Sequence, residues 1–287
     1  MPAPLFGGVA HRLSGSADRL LALDVTTGRG IDPQMYRRVV YTTSQHLGFA
    51  PQMHGGFGPG RGISGGAFTA WHTESDRLVF LALDRGHLYL RIADAMIYEH
   101  AWDRATRWGH WSSGEWPLWL AIADFSSLPD LMLPGGSMVE DWTSLRSAIA
   151  DMIVSLAGSH PAFDAGMTVP LLDASCQVLC RIIVDTDGDL LVSATADAVD
   201  GPTYERLLEL GYTERLQVPP FDAIRYGRAD DPRFAAEAAG LVVDTLRAWE
   251  VELPTWGNPS LMYTTGYITD GPEVDDLSIW GLRLPPY

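Results

Sequence analysis

The chain has 287 residues, 46% of them hydrophobic and 20% charged, so it can bury a substantial core and has an ordinary globular composition. All 20 basic residues are arginine, which excludes a Schiff-base lysine and a P-loop lysine. The formal net charge of −16 is uneven, because residues 1–160 carry 12 arginines and 15 acids, whereas residues 161–287 carry 8 arginines and 21 acids. This acidity disfavours nucleic acid and favours a basic protein partner, although it also fits a role in solubility alone.

The sequence indicates a cytoplasmic protein without a membrane partner. No apolar run approaches the roughly 18 residues of a membrane span. Residues 1–10 lack the basic and apolar regions of a signal peptide. Cys176 and Cys180 would lie about 13 Å apart along one strand, beyond disulfide reach, so we expect two buried thiols.

The first half contains a capped helix, a glycine-rich segment and a hairpin. Asp32 and Pro33 begin a helix that Gly48 ends. Arg85 and Gly86 join two strands. The predicted elements are an irregular lead-in over 1–31, a helix over 33–47, a mobile loop over 55–66, strands over 77–84 and 87–94, a helix over 98–107, strands near 110 and over 116–124, and a helix over 141–157 that Gly158 terminates.

The second half repeats this order. Asp187 and Gly188 favour a tight hairpin turn, and Asp231 and Pro232 begin a long helix. The predicted elements are strands over 178–185 and 189–196, a helix over 202–210, strands over 212–218 and 223–228, a helix over 232–249, and an aromatic tail over 254–287 with only short strands.

An internal repeat supports this parallel. Residues 86–122 align with residues 188–224 at a constant offset of 102, with seven identities in 37 positions, among them Gly86 on Gly188 and Gly109 on Gly211. We therefore predict an α+β protein of two tandem β-β-α-β-β-α units, with antiparallel sheets packed by helices, over residues 32–157 and 158–253.

Motifs for catalysis and metal binding are weak. Residues 60–65 match the spacing of a dinucleotide-binding loop, and Ser64 lies in a Gly-x-Ser-x-Gly pattern, but neither has the strand before it and helix after it that such sites need. The carboxylates of Asp185, Asp187 and Asp189 surround a hairpin turn rather than an EF-hand loop. The histidines form no zinc pattern, so we expect no metal and no cofactor.

Tryptophan is concentrated in the first unit. Trp108, Trp111 and Trp116 have no aromatic counterpart at the offset of 102, whereas Trp102 and Trp119 do. Because indoles are enriched in protein interfaces, the three unmatched residues indicate a partner-binding patch, with core packing as the alternative.

The second half also resembles a known family. The strand pair over 178–196, the helix that ends at Leu210, Gly211 and Tyr212, and the helix over 235–249 are similar to the TY-Chap family, whose members resemble type III secretion chaperones and YbjN. The resemblance implies helices on a curved sheet, a non-enzymatic chaperone or adaptor role, and acidic homodimers that bind an extended client segment. Two fused units would form that dimer within one chain.

We therefore expect a non-catalytic protein that holds an extended or basic segment of a partner on strand edges and apolar grooves. Trp108, Trp111 and Trp116 would anchor the segment, and Asp185, Asp187 and Asp189 would attract it. A toxin-neutralising immunity protein is the first alternative. An enzyme that uses the loop over 55–66, with Ser64 or His72, is the second.

Overall fold

The computed structural model describes residues 10–16, 19–26, 30–57, 66–95, 117–122, 139–164, 166–195, 201–213, 221, 223–255, 260–264, 266–267, 276–279 and 282–284. Within these residues the fold is mixed α+β, with two antiparallel sheets and four helices. The helices are α1 (Pro33–Leu47), α2 (Trp142–Phe163), α3 (Gly201–Glu209) and α4 (Pro232–Ala248). The strands are β1 (Ala10–Ser16), β2 (Arg19–Thr26), β3 (Met53–Phe57), β4 (Ala67–His72), β5 (Arg77–Asp84), β6 (His87–Asp94), β7 (Pro117–Ile122), β8 (Met167–Asp173), β9 (Val178–Val184), β10 (Asp189–Ala194), β11 (Ile224–Arg228), β12 (Leu261–Tyr263), β13 (Gly266–Tyr267) and β14 (Asp276–Ser278).

Local signals set the ends of α1 and the start of α4, as the sequence predicts. Asp32 accepts a hydrogen bond of 2.7 Å from the backbone of Met35, and Gly48 ends α1 in the left-handed conformation at φ 86°. Asp231 caps α4 in the same way, through the backbone N–H of Arg233. These side chains satisfy donors that the first helical turn leaves unpaired.

The first sheet has eight strands in the order β1-β2-β6-β5-β4-β3-β7-β14. The second has the order β11-β10-β9-β8-β12, and β13 also pairs with β8. Strands β4, β5 and β6 form an antiparallel meander, and so do β8, β9 and β10. The predicted hairpins are therefore present, each as part of a three-stranded unit.

Helix α2 contacts both sheets and joins them. It packs against β3, β4 and β7 of the first sheet, β9 of the second, and helices α1 and α4. Three buried polar residues near its end connect it to both sheets. Ser155 Oγ donates to the carbonyl of Phe57 at 3.0 Å, Ser159 Oγ accepts from the indole of Trp119 at 3.1 Å, and His160 Nε2 lies 3.3 Å from the carbonyl oxygen of Thr186.

The N-terminal residues differ from the prediction, since 1–31 is not irregular throughout. Strands β1 and β2 form a hairpin, and β2 pairs with β6 from Ala22 opposite Ala93 to Thr26 opposite Tyr89. The apolar run over 20–25 is a strand because β6 offers it a backbone partner from a distant part of the chain, which local composition does not reveal.

The start of the glycine-rich segment also differs from the predicted loop over 55–66, because Gly55 and Gly56 lie in β3. A Cβ on Gly55 would lie 2.2 Å from the ring of Phe68, and one on Gly56 would lie 2.1 Å from the indole nitrogen of Trp119. Glycine is required here by close packing on both faces of the strand. Residues 58–65, including Ser64, lie outside the described residues.

The predicted end of helix 141–157 is wrong, because α2 continues through Gly158 to Phe163. A glycine inside a helix lowers helix stability by about 1 kcal/mol relative to alanine. Burial of the helical turn that follows Gly158 offsets this cost. Pro161 cannot donate to the carbonyl of Ala157, and His160 Nδ1 donates to that oxygen instead, at 3.1 Å. The expected boundary between units, at 157 and 158, thus falls within a helix.

The two halves also differ in strand order. In the second sheet, β11 pairs with β10, whereas in the first sheet β7 pairs with β3 and β14 at the other end. One apolar cluster includes Tyr36 and Trp119 from the first half and Leu246 from the second. The predicted helix over 98–107 and the strand near 110 lie outside the described residues.

The C-terminal residues add strands to both sheets. Strands β12 and β13 pair with β8, and β14 pairs with β7.

Among the described helices, none is long and apolar enough to cross a membrane.

Candidate functional site

A cavity of about 580 Å³ lies between α1, the start of β3 and the end of α2. Its volume is within the usual range for ligand sites. We name it the His54 cavity, after the polar side chain that β3 contributes to it. The described residues that line it are Arg37, Val40, Tyr41, Ser44, Gln45, Gly48, Phe49, Ala50, Pro51, His54, Thr69, Ala162 and Phe163.

The helices and strands hold the polar groups of the cavity in a chain of hydrogen bonds. Tyr36, fully buried on α1, donates its hydroxyl hydrogen to Thr69 Oγ1 of β4 at 2.9 Å. Thr69 Oγ1 lies 3.1 Å from His54 Nδ1 of β3. The Tyr36 hydroxyl also lies 3.2 Å from the carbonyl oxygen of Leu81, an alternative acceptor. Helix α1 is thereby fixed to three adjacent strands, β3, β4 and β5.

The hydrogen bonds of Tyr36 and Thr69 favour one tautomer of His54. Because Thr69 accepts the hydrogen of Tyr36, its own hydroxyl hydrogen can donate to Nδ1. We therefore assign the imidazole proton to Nε2, for which the described residues provide no hydrogen-bond partner. The ring packs edge-on against Phe163, with centroids 5.1 Å apart. The imidazole thus has one N–H donor left for an occupant of the cavity.

Burial keeps His54 uncharged. Its side chain is buried, and loss of hydration lowers its pKa from 6.5 to about 4. Burial likewise raises the pKa of the Tyr36 hydroxyl above its usual range. At neutral pH both groups are neutral, so they contribute hydrogen bonds rather than charge.

The segment that forms most of the cavity differs in charge from the whole chain. Residues 33–73 contain no aspartate or glutamate and three arginines, in a protein of net charge −16. Arg37 is the only charged side chain among the described residues that line the cavity. Its Nη1 donates to the carbonyl of Pro161 and lies 3.3 Å from Asp164 Oδ1. These contacts hold the guanidinium beside the end of α2.

The walls are apolar and anchored to the core. Ser44 Oγ accepts a hydrogen bond of 3.1 Å from the indole of Trp71 and donates to the carbonyl of Val40. Trp71 is fully buried, so this contact fixes the third turn of α1. At the mouth, Tyr41 has 67% of its surface exposed. The cavity therefore combines rigid apolar walls with a large exposed aromatic ring.

The predicted aspartate cluster lies far along the chain, in the turn between β9 and β10. Asp185 Oδ1 accepts from the backbone N–H groups of Asp187 and Asp189, at 3.0 and 2.8 Å. Asp189 pairs with Arg225 at 2.5 Å, and Arg228 donates to the carbonyl of Asp187. Asp185 thus stabilises the turn, and Asp189 forms an ion pair. A role of the three carboxylates in binding a partner stays a prediction.

Three other predicted site residues, Trp108, Trp111 and Trp116, lie outside the described residues, as does Trp102. Trp119 is fully buried against α2. His72 ends β4, and its Nε2 lies 3.6 Å from Asp76 Oδ1 in the following turn. Within the described part of the chain, no three His, Cys, Asp or Glu side chains are grouped as metal ligands.

No family model, curated protein or solved structure matches the chain. The resemblance to the TY-Chap family therefore stays a prediction.

No sequence pattern predicted a role for His54, Thr69 and Arg37. His54 lies just before the glycine-rich segment, and β3 and β4 were not predicted, so nothing placed these side chains together. The absence of acids over 33–73 was the one available signal, since it marks a basic region in an acidic chain.

Proposed function

We propose that the protein is a non-catalytic binding protein that holds a segment of a partner protein, and that the His54 cavity receives an apolar side chain of that segment. The cavity carries this proposal, because its walls are apolar, its volume is about 580 Å³, and a few fixed polar groups converge on it. The chaperone or adaptor role implied by the TY-Chap resemblance is of the same kind.

The surface beside the cavity supports a protein as the occupant. Tyr41 and Met35 on α1 are two of the four large hydrophobic residues that the described part of the chain exposes, at 67% and 40%. Tyrosine, methionine and arginine are enriched in protein interfaces, and Arg38 lies between these two residues on the exposed surface of α1. A bound segment would cover this surface as well as fill the cavity.

The cavity is a better candidate than the β11 edge of the second sheet. Strand β11 carries Arg225 and Arg228, both of which form ion pairs. It also contains Gly227, which has a φ of 101° and lies beside a shift in the pairing register with β10. Charges and bulges on a terminal strand oppose the addition of another strand.

Selection from a library of random peptides tests the proposal. The Ala50→Trp variant places an indole at the mouth, where residue 50 is exposed, and Ala236→Trp makes the same change on the exposed surface of α4. We expect peptides with apolar anchors to bind the wild type and Ala236→Trp, and to lose at least tenfold in affinity for Ala50→Trp. Equal affinity for all three proteins would place the binding surface elsewhere.

A further inference from the structure

Two polar groups of the His54 cavity would make no hydrogen bond or ion pair with an occupant that is only an apolar side chain. Nε2 of His54 offers an N–H donor, and Arg37 supplies positive charge. Both groups are fixed by their neighbours rather than by an occupant, since Thr69 orients the imidazole and Pro161 holds the guanidinium. The occupant should therefore bring a hydrogen-bond acceptor, and preferably an anionic one.

We propose that the His54 cavity takes the C-terminal residue of a partner chain, with its side chain against the apolar walls and its free carboxylate accepting a hydrogen bond from Nε2 of His54. This inference rests on the proposed function and specifies the part of the partner that the cavity recognises.

The electrostatics of the cavity favour a carboxylate over other acceptors. Hydrogen bonds to an ionised acceptor are roughly twice as strong as neutral ones. The described lining contains no carboxylate that would repel an anion. Arg37 lines the cavity, whereas its partner Asp164 is not among the described lining residues and has 80% of its side chain exposed. A lysine or arginine side chain of a partner would meet an N–H donor and a like charge instead.

The position of Tyr41 favours a chain terminus over a free small acid. A small apolar carboxylate would fill the cavity and leave Tyr41 exposed at the mouth. The residues that precede a C-terminal residue would lie across Tyr41 and Gln45, which lie one helical turn apart on α1. Burial of the Tyr41 ring under a peptide chain adds affinity. A single amino-acid derivative does not cover this ring, so it does not gain that affinity.

Calorimetric titration of the full-length protein with defined probes tests this inference. The probes are acetyl-Ala-Ala-Phe and acetyl-Ala-Ala-Leu as free acids, the same peptides as C-terminal amides, and N-acetylphenylalanine. We expect each free acid to bind at least tenfold more tightly than its amide, and N-acetylphenylalanine to bind more weakly than the tripeptide acid. His54→Ala should abolish the preference for the acid, whereas His54→Gln, which keeps an N–H donor, should retain part of it.

The outcomes separate this inference from the proposed function. Equal affinity for acids and amides, with binding lost in Ala50→Trp, would overturn the carboxylate inference and leave the proposed function standing. If N-acetylphenylalanine binds as tightly as the tripeptide acid, the ligand is a free apolar acid. This result would overturn the proposal that the cavity takes the C-terminal residue of a partner chain. Binding of none of these probes, when library peptides with internal anchors do bind, would also overturn it. Circular dichroism of each variant verifies that it is folded.

Discussion

The indole of Trp119 donates a hydrogen bond of 3.1 Å to Ser159 Oγ, and this contact joins β7 of the first sheet to the end of α2. Both side chains are fully buried. Ser159 in turn donates to the carbonyl of Ser155 at 2.6 Å, within the same helix. The end of α2, which forms one side of the His54 cavity, is thus fixed to the sheet by a buried polar contact.

Loss of the Ser159 hydroxyl should destabilise the fold. Ser159→Ala leaves the indole N–H of Trp119 buried without an acceptor, which costs about 1–3 kcal/mol in the free energy of unfolding. Urea denaturation measures this cost. Ser147→Ala, on the exposed surface of the same helix, is the matched control and should change stability by less than about 0.5 kcal/mol. Equal effects in the two variants would show that the contact contributes nothing.

Gly56 should tolerate no side chain. A Cβ there would lie 2.1 Å from Trp119 Nε1 and 2.8 Å from Ser159 Oγ, and both of these side chains are fully buried. We expect Gly56→Ala to cost about 3 kcal/mol or more in stability, measured by thermal or urea denaturation. Gly201→Ala is the control, because a Cβ there meets no atom within 4 Å. A stable Gly56→Ala protein would contradict the packing described for β3.

Neutral His54 should make the fold sensitive to acid. Its pKa is lowered to about 4 in the folded protein, against 6.5 for the free side chain, so the unfolded chain binds the extra proton first. The contribution of His54 is fully present above pH 6.5 and is lost as the pH falls from 6.5 toward 4. Between pH 7 and pH 5 this loss amounts to about 2 kcal/mol.

Urea denaturation at pH 7 and pH 5 measures this effect. His54→Gln should lose less stability than the wild type between the two pH values, because glutamine does not titrate. His46→Gln, on the exposed surface of α1, should behave as the wild type does. If His54→Gln and the wild type lose stability equally, the imidazole is not held neutral by burial.

The aspartates of the β9–β10 turn should differ in their effects. Asp185→Ala removes the acceptor of two backbone N–H groups and should cost about 1–2 kcal/mol in the free energy of unfolding. Asp187 is exposed, so Asp187→Ala should change stability by less than about 0.5 kcal/mol. Chemical denaturation of both variants makes the comparison. A larger loss in Asp187→Ala would show that the turn is held by other contacts.

The elements that the sequence predicted correctly are those set by local signals. Asp32 and Gly48 bound α1, and Arg85 and Gly86 turn the β5–β6 hairpin. The predictions that failed concern elements whose structure depends on contacts with distant parts of the chain. Strand β2 exists because β6 pairs with it, and α2 passes Gly158 because the following turn is buried between the sheets.

The candidate site was missed for the same reason. His54 and Thr69 are 15 residues apart and meet through the pairing of β3 with β4, and Arg37 reaches Pro161 across 124 residues. No local pattern brings these side chains together. The charge of residues 33–73 marked the region, but it did not identify the imidazole as the polar group of the cavity.

The imidazole spectrum of His54 directly tests whether its Nε2 binds the carboxylate of a partner, and long-range ¹H–¹⁵N NMR at pH 7 measures it with and without acetyl-Ala-Ala-Phe. We expect a neutral ring protonated at Nε2 in the free protein, and a clear shift of the Nε2 and Hε2 signals when the peptide binds. Protonation at Nδ1, or bound peptide with unchanged His54 signals, would contradict it.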